Sequence, residues 1–229
     1  MDAKVLEIFQ SVQGEGKYAG CSQVFVRFFE CNMHCVWCDT PHSIGDGKRE
    51  FTVMTTAAII KEMQRIRRSA SSVSITGGEP LLQADALVEL LPRLKKLKWQ
   101  VYLDTNGTLP DALAKVIKDV DVVAMDIKLP SSTGEKAYWK EHEAFLKIAR
   151  RKDVFIKNVV SLKTKPEEIL HAAKLVAAVD PAITFYLQPN FLDMKKGVID
   201  ICLQAQEHCA KYLSDVRILP QTHKFMKLR

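Results

Sequence analysis

Val24-Phe25-Val26-Arg27-Phe28-Phe29-Glu30-Cys31-Asn32-Met33-His34-Cys35-Val36-Trp37-Cys38 is the stretch from which the fold can be read. Its first five residues, Arg27 apart, are the β-branched and aromatic types that suit a strand. Three cysteines in the pattern C-x3-C-x2-C follow almost at once. A loop of this kind directly after a strand sits where α/β barrels place their active sites. Four thiolates complete a four-iron, four-sulfur cube, whereas three leave one iron without a protein ligand. The competing reading is zinc, with His34 or His42 as fourth ligand. Zinc sites, however, usually add a second cysteine pair farther along, which this sequence lacks.

Outward from that stretch, two periodicities alternate. Residues 55–67 place Ile59, Ile60, Met63 and Ile66 on one helical face, and 73–75 read as a short strand. Leu87, Leu90, Leu91 and Leu94 stand at helical spacing, and the strand 101–103 ends at Asn106-Gly107. Then come a helix over 110–118, a strand over 122–127, a helix over 135–149 and a β-branched strand over 154–160. Pro166 with Glu167 and Glu168 opens the next helix, followed by a strand over 183–187. The last helix carries Val198, Ile201, Cys202, Ala205, Cys209 and Tyr212 on one face, before a final strand over 216–219. About six such alternations predict an α/β fold with a parallel sheet wrapped by helices. Periodicity leaves two forms open: a partial (β/α) barrel or a doubly wound sheet.

The 229 residues fit one domain, 1–229, and no linker divides them. Hydrophobic residues make up 47% and charged residues 26%, an ordinary globular balance with material for a real core. No apolar run reaches the ~18 residues of a membrane span, and residues 1–12 lack the character of a secretion signal. A cytoplasmic protein with no membrane partner is expected. Six cysteines are too few for a disulfide scaffold, and Cys202 and Cys209 read as buried core thiols. The net charge of +6 admits nucleic acid as a partner. Yet Arg65-Ile66-Arg67-Arg68 and Arg150-Arg151-Lys152 fall where predicted helices end, and there cations complement the helix dipole. No direct nucleic-acid partner is therefore expected. A zinc-containing nucleic-acid-binding module stands as the alternative of another class.

The cysteine spacing resembles the signature of the radical S-adenosylmethionine (SAM) superfamily. Thr76-Gly77-Gly78-Glu79-Pro80 looks like that family's GGEP motif, and paired glycines allow close approach of the backbone to a ligand. Leu103-Asp104-Thr105-Asn106-Gly107 and Asp126-Ile127-Lys128 end the next two strands, where a barrel places ligand-facing residues. A narrower resemblance rests on Gln13-Gly14-Glu15-Gly16, Gly20, Arg27, Trp37-Cys38-Asp39-Thr40 and Gln221-Thr222-His223-Lys224-Phe225. Together these are similar to the 7-carboxy-7-deazaguanine synthases, and they span nearly the whole chain.

The resemblance implies a reduced-size partial (β/α) barrel of the radical SAM type. Its implied activity converts 6-carboxy-5,6,7,8-tetrahydropterin to 7-carboxy-7-deazaguanine with loss of ammonia, on the route to queuosine and related deazapurines. Cys31, Cys35 and Cys38 would hold the 4Fe–4S cluster, and the Thr40 hydroxyl would bind Mg2+. Trp37, Cys38, Asp39, Gly78, Glu79, Asp126, Ile127, Lys128, Gln188, Pro189 and Asn190 would line the SAM site. Gln13, Gly14, Glu15, Arg27, Thr76, His223 and Arg229 would meet substrate, with the C-terminal segment 216–229 closing over it. A homodimer and an electron donor such as flavodoxin or ferredoxin are implied as partners. Where many members carry Ser-Pro-Lys, this chain has Asp126-Ile127-Lys128, a form closer to glycyl-radical-enzyme activases. An activase is thus the rival within the superfamily.

Overall fold

The computed structural model describes residues 1–45 and 51–228. The strands are β1 (Asp2–Val12), β2 (Ser22–Phe28), β3 (Thr52–Thr55), β4 (Ser72–Gly77), β5 (Gln100–Thr105), β6 (Val122–Asp126), β7 (Asp153–Val160), β8 (Phe185–Pro189) and β9 (Val216–Ile218). The helices are α1 (Thr56–Ile66), α2 (Ala84–Lys96), α3 (Pro110–Val116), α4 (Pro130–Thr133), α5 (Trp139–Ala149), α6 (Pro166–Val179), α7 (Val198–Cys209) and α8 (Thr222–Phe225). All nine strands join one sheet in the order β3-β1-β2-β4-β5-β6-β7-β8-β9. From β2 to β9 every pairing is parallel, and β1 and β3 add an antiparallel margin.

The strand alternation decides between the two forms left open. On β5, β6, β7 and β8 the residues Val101, Leu103, Val123, Met125, Val154, Ile156, Phe185 and Leu187 join the main core. That core takes Ile59, Leu87, Leu113, Phe145, Ile169 and Val198 from the six longer helices α1, α2, α3, α5, α6 and α7. The intervening residues Tyr102, Val122, Ala124, Phe155 and Tyr186 form a separate small cluster, without a helix residue among its buried members. These six helices therefore lie on one face, each packed beside the next. A doubly wound sheet would carry helices on both faces. The opposite face is plugged at its base by the small aromatic cluster and left open above it. This is a partial barrel.

Three local differences from the sequence reading have physical causes. β1 carries no clear strand signal because a bulge between Val5 and Glu7 breaks its alternation, and because its residues beyond Val5 are only half-buried. α5 begins at Trp139 rather than 135: Gly134 closes α4 in the left-handed region, and the Glu135 carboxylate accepts the backbone N–H of His34 at 2.6 Å. Tyr212 lies beyond the end of α7 and is exposed. Cys202 and Cys209 are buried on that helix as expected, and burial pushes their thiols up to about 12 and about 11. No helix among the described residues is long and apolar enough to cross a membrane.

Candidate active site

The same two-residue period that feeds the core from one face lifts polar side chains onto the other. Arg27 on β2 stands beside Thr76 on β4, and Asp126 on β6 beside Lys157 on β7. With Asp104 and Gln188 they surround the carboxyl ends of the strands. One cavity there is lined by Gln13, Gly14, Glu15, Arg27, Cys31, Cys35, Trp37, Cys38, Asp39, Thr40, Thr76, Gly78, Asp126, Lys128, Gln188, Asn190 and His223. Glu79, Ile127 and Pro189 do not line it. The Ile127 side chain faces the helices in the main core, so only its backbone is available to a ligand. Arg229 lies outside the described residues.

The cysteine loop is held against the glycine motif by backbone. Gly78 N–H donates to Phe28 O at 3.2 Å, and Glu79 N–H to Glu30 O at 2.8 Å. A Cβ on Gly77 would lie 2.2 Å from Phe28 O, and one on Gly78 2.2 Å from Glu30 O. The paired glycines thus serve the close contact of the two loops. Cys31 and Cys35 are half-buried; burial pushes the Cys31 thiol up to about 11 and raises Cys35 as well. The zinc reading needs a fourth protein ligand beside the three sulfurs. Among the described residues the group of His, Cys, Asp and Glu ligand atoms within 4.8 Å of one another is Glu15, Asp39 and His223, which includes none of the cysteines. His34 and His42 are exposed and do not line the cavity.

Glu79 is fully buried. Its carboxylate accepts from Leu81 N–H (3.1 Å), Thr105 Oγ1 (2.8 Å) and Asn106 N–H (2.8 Å). Burial pushes this carboxyl up to about 7, against the pull of those three donors. Asn106 in turn reaches Asn32 Oδ1 at 2.8 Å and lies 4.0 Å from Cys31 Sγ through its Nδ2. Behind it, His142 Nε2 lies 3.1 Å from Asn106 O, and the ring is wholly buried. Burial lowers His142 to about 4 from 6.5. A depressed folded value stabilises the fold above pH 6.5, and that contribution is lost as pH falls through 4. The shift corresponds to about 3 kcal/mol. Urea unfolding at pH 7 and pH 4.5 should therefore show wild type losing stability that His142→Gln does not lose. Parallel profiles would show that the ring is not held neutral.

On the opposite wall Lys128 Nζ meets Asp126 Oδ2 at 2.7 Å and sits 4.8 Å over the Trp37 ring. Asp126 Oδ1 is buried with no partner among the described residues, an acceptor left for a ligand. Across the floor, Lys157 Nζ lies 2.7 Å from Glu15 Oε2 and 2.9 Å from Asp104 Oδ1. Gln221 Nε2 donates to Glu15 Oε1 at 2.7 Å and to Asp39 Oδ2 at 3.1 Å. Glu15 and Asp39 are thus already tied to protein donors, and Lys224 adds an ion pair to Asp39. The Gln13 amide is engaged by the protein: its Nε2 donates to Gln23 Oε1 on β2 and its Oε1 accepts from Glu15 N–H in the same loop. Arg27 is oriented by Glu7 through Nε at 2.9 Å. Gly14 packs so closely on the C-terminal stretch that a Cβ there would lie 2.1 Å from His223 Nδ1. Its carbonyl accepts from Thr222 N–H at 2.9 Å. Lys157 belongs to no sequence motif. Its signal was a lone lysine inside the apolar run Val154-Phe155-Ile156-Lys157-Asn158-Val159-Val160.

The Radical SAM superfamily matches residues 26–185. The chain is similar to the 7-carboxy-7-deazaguanine synthase of Geobacter sulfurreducens, with 41% identity over 98% of this chain and 97% of that one. It is similar to the 7-carboxy-7-deazaguanine synthase of Archaeoglobus fulgidus, with 34% identity over the full length of both. Among solved structures, that of QueE from Escherichia coli superposes with a TM-score of 0.69 at 24% identity, covering 97% of this chain and 95% of the other.

Proposed function

Because the chain belongs to the 7-carboxy-7-deazaguanine synthase family of the radical SAM superfamily, we propose that its cavity holds SAM against the cysteine loop and 6-carboxy-5,6,7,8-tetrahydropterin against the Gln13–Glu15 loop. The observation that carries this reading is the meeting of those two loops, with His223, on one cavity.

Cys31, Cys35 and Cys38 supply the three thiolate donors a 4Fe–4S cluster needs, and all three line the cavity. When bound, the cluster and SAM supply one-electron carbon–sulfur cleavage and so the means of removing a hydrogen atom from the substrate. Trp37, Asp126 and Lys128 support the SAM side, where the unpaired Asp126 Oδ1 is an acceptor for the SAM amino or hydroxyl donors. Arg27 offers its guanidinium to the substrate carboxylate. Glu15 and Asp104 offer acceptors to ring N–H and amino groups. Thr40 is the Mg2+ candidate: its hydroxyl lies on the cavity wall, and Mg2+ keeps most of its sites for water and substrate oxygens. The C-terminal stretch closes the cavity through Gln221 and His223, holding the substrate in one orientation and excluding water. A homodimer, a flavodoxin- or ferredoxin-type electron donor and a cytoplasmic setting complete the proposal.

The test is turnover. Anaerobically reconstituted protein with SAM, reductant, Mg2+ and 6-carboxytetrahydropterin should give 7-carboxy-7-deazaguanine by mass spectrometry. 5′-Deoxyadenosine without deazaguanine would keep the cluster and overturn the substrate.

A further inference from the structure

Lys157 is the most enclosed charge in the molecule's open face. Its side chain is 4% exposed, on a strand buried from Val154 to Val160. Phe155 and Tyr102 pack in the buried apolar cluster on the same face of the sheet, outside the cavity lining. An ammonium in such a place is costly unless paired and hydrogen-bonded. The pairing is double, to Glu15 from the loop after β1 and to Asp104 from β5. Each carboxylate is also held by its second oxygen: Glu15 Oε1 by Gln221, and Asp104 Oδ2 by the Thr76 hydroxyl at 3.4 Å.

Resting on the substrate reading above, we infer that Lys157 is a positioning residue for the reaction: it holds Glu15 and Asp104 as a fixed pair of carboxylate acceptors for the N–H groups of a nitrogen heterocycle. Both carboxylates keep lone pairs for a ligand, since each oxygen has two. Remove the ammonium and two carboxylates face each other, with Asp126 near. Like charges so placed favour protonation of one member, which turns an acceptor into a donor. The other groups facing the triad are Tyr102 from β5, Lys128 beyond β6 and His223 from α8. Burial works against the charge on both partners. It is outweighed at Lys157 by Asp104 and Glu15, which drive the ammonium upward, and at Glu15 by Lys157, which drives the carboxyl down.

The experiment uses the reconstituted holoenzyme and steady-state kinetics with 6-carboxytetrahydropterin. Lys157→Met should raise the substrate KM about ten- to a hundredfold, the worth of a charged hydrogen bond. Iron content and the KM for SAM should stay at wild-type values. Lys157→Arg should recover most of the loss, because a guanidinium can span two carboxylates. Glu15→Gln should raise KM alone, and adding Lys157→Met to it should cost little more, the mark of a shared interaction. A wild-type KM in Lys157→Met, or losses that add fully in the double variant, would overturn the role of Lys157 and leave the function standing. Wild type that makes no deazaguanine would overturn both. If Lys157→Met does not fold, Asp104→Asn removes one of the two contacts, and an unchanged KM there would equally overturn the proposal.

Discussion

Cys35→Ala is expected to yield folded, colourless protein that makes neither 5′-deoxyadenosine nor 7-carboxy-7-deazaguanine. The fold should survive because the loop is held by backbone and not by the thiol: Val36 N–H donates to Thr133 O at 2.9 Å, and Cys38 N–H to Cys35 O at 2.9 Å. Loss of a half-buried sulfur outside the main core should shift stability by no more than about 1 kcal/mol. The chemistry has no such reserve. Three thiolates are the whole protein ligand set for the cube, and two cannot fix it. Burial raises both the Cys31 and Cys35 thiols, so loading must displace their protons, and ligation itself supplies that driving force. Iron content, visible absorption and product are measured together, with Cys202→Ala as control. That thiol lies under α7 in the main core, so its loss should lower the melting temperature and leave iron in place. Product formation by Cys35→Ala would sink the ligand assignment, and so would iron retained at wild-type level.

The parts of this molecule legible in the sequence are those governed by short-range pattern. The helices α1, α2, α3, α6 and α7 and the strands β2 and β4 to β9 follow from periodicity, because each feeds the core with a regular stripe. β1 does not, since its bulge and thin burial leave no stripe. Periodicity also cannot say whether a second layer of helices exists; it took the separation of the two apolar clusters to settle that. For the site, the cysteines, Trp37, Asp39, Thr40, Gly14 and His223 were carried by motif, and all reach the cavity. Lys157 belonged to no motif. Its role exists only after β5 and the Glu15 loop are brought beside β7, a long-range event in sequence. Glu79 shows the reverse limit, because a motif names a residue without saying what its side chain touches.

The second large effect concerns Glu79. The resemblance to the GGEP motif suggests a carboxylate directed at SAM. In this structure the side chain is fully buried and spends both oxygens on Leu81, Thr105 and Asn106. It is a strut between the loop after β4 and the end of β5. Glu79→Ala leaves two backbone N–H groups and a hydroxyl without their acceptor. The expected cost is about 2–4 kcal/mol, or a melting temperature lower by about 5–15 °C. Glu79→Gln keeps one oxygen but turns an NH2 toward a donor, and should fall between wild type and alanine. The folded carboxyl stands at about 7, above its ordinary 4.5. A raised folded value gives stability that is full below pH 4.5 and lost as pH rises through 7, so the advantage over alanine should shrink across that range. Calorimetry on metal-free protein measures these terms without the cluster. SAM affinity is then measured on reconstituted protein at a temperature where each variant is folded. The strut predicts that both readouts fall together, because Asn106 also contacts Asn32 and approaches Cys31. A direct contact predicts lost SAM affinity with an unchanged melting temperature, and that result would return Glu79 to the SAM site. The geometry favours the strut for a simple electrostatic reason. An isolated carboxylate at this depth would be expelled or protonated, and only a full set of donors keeps it in place.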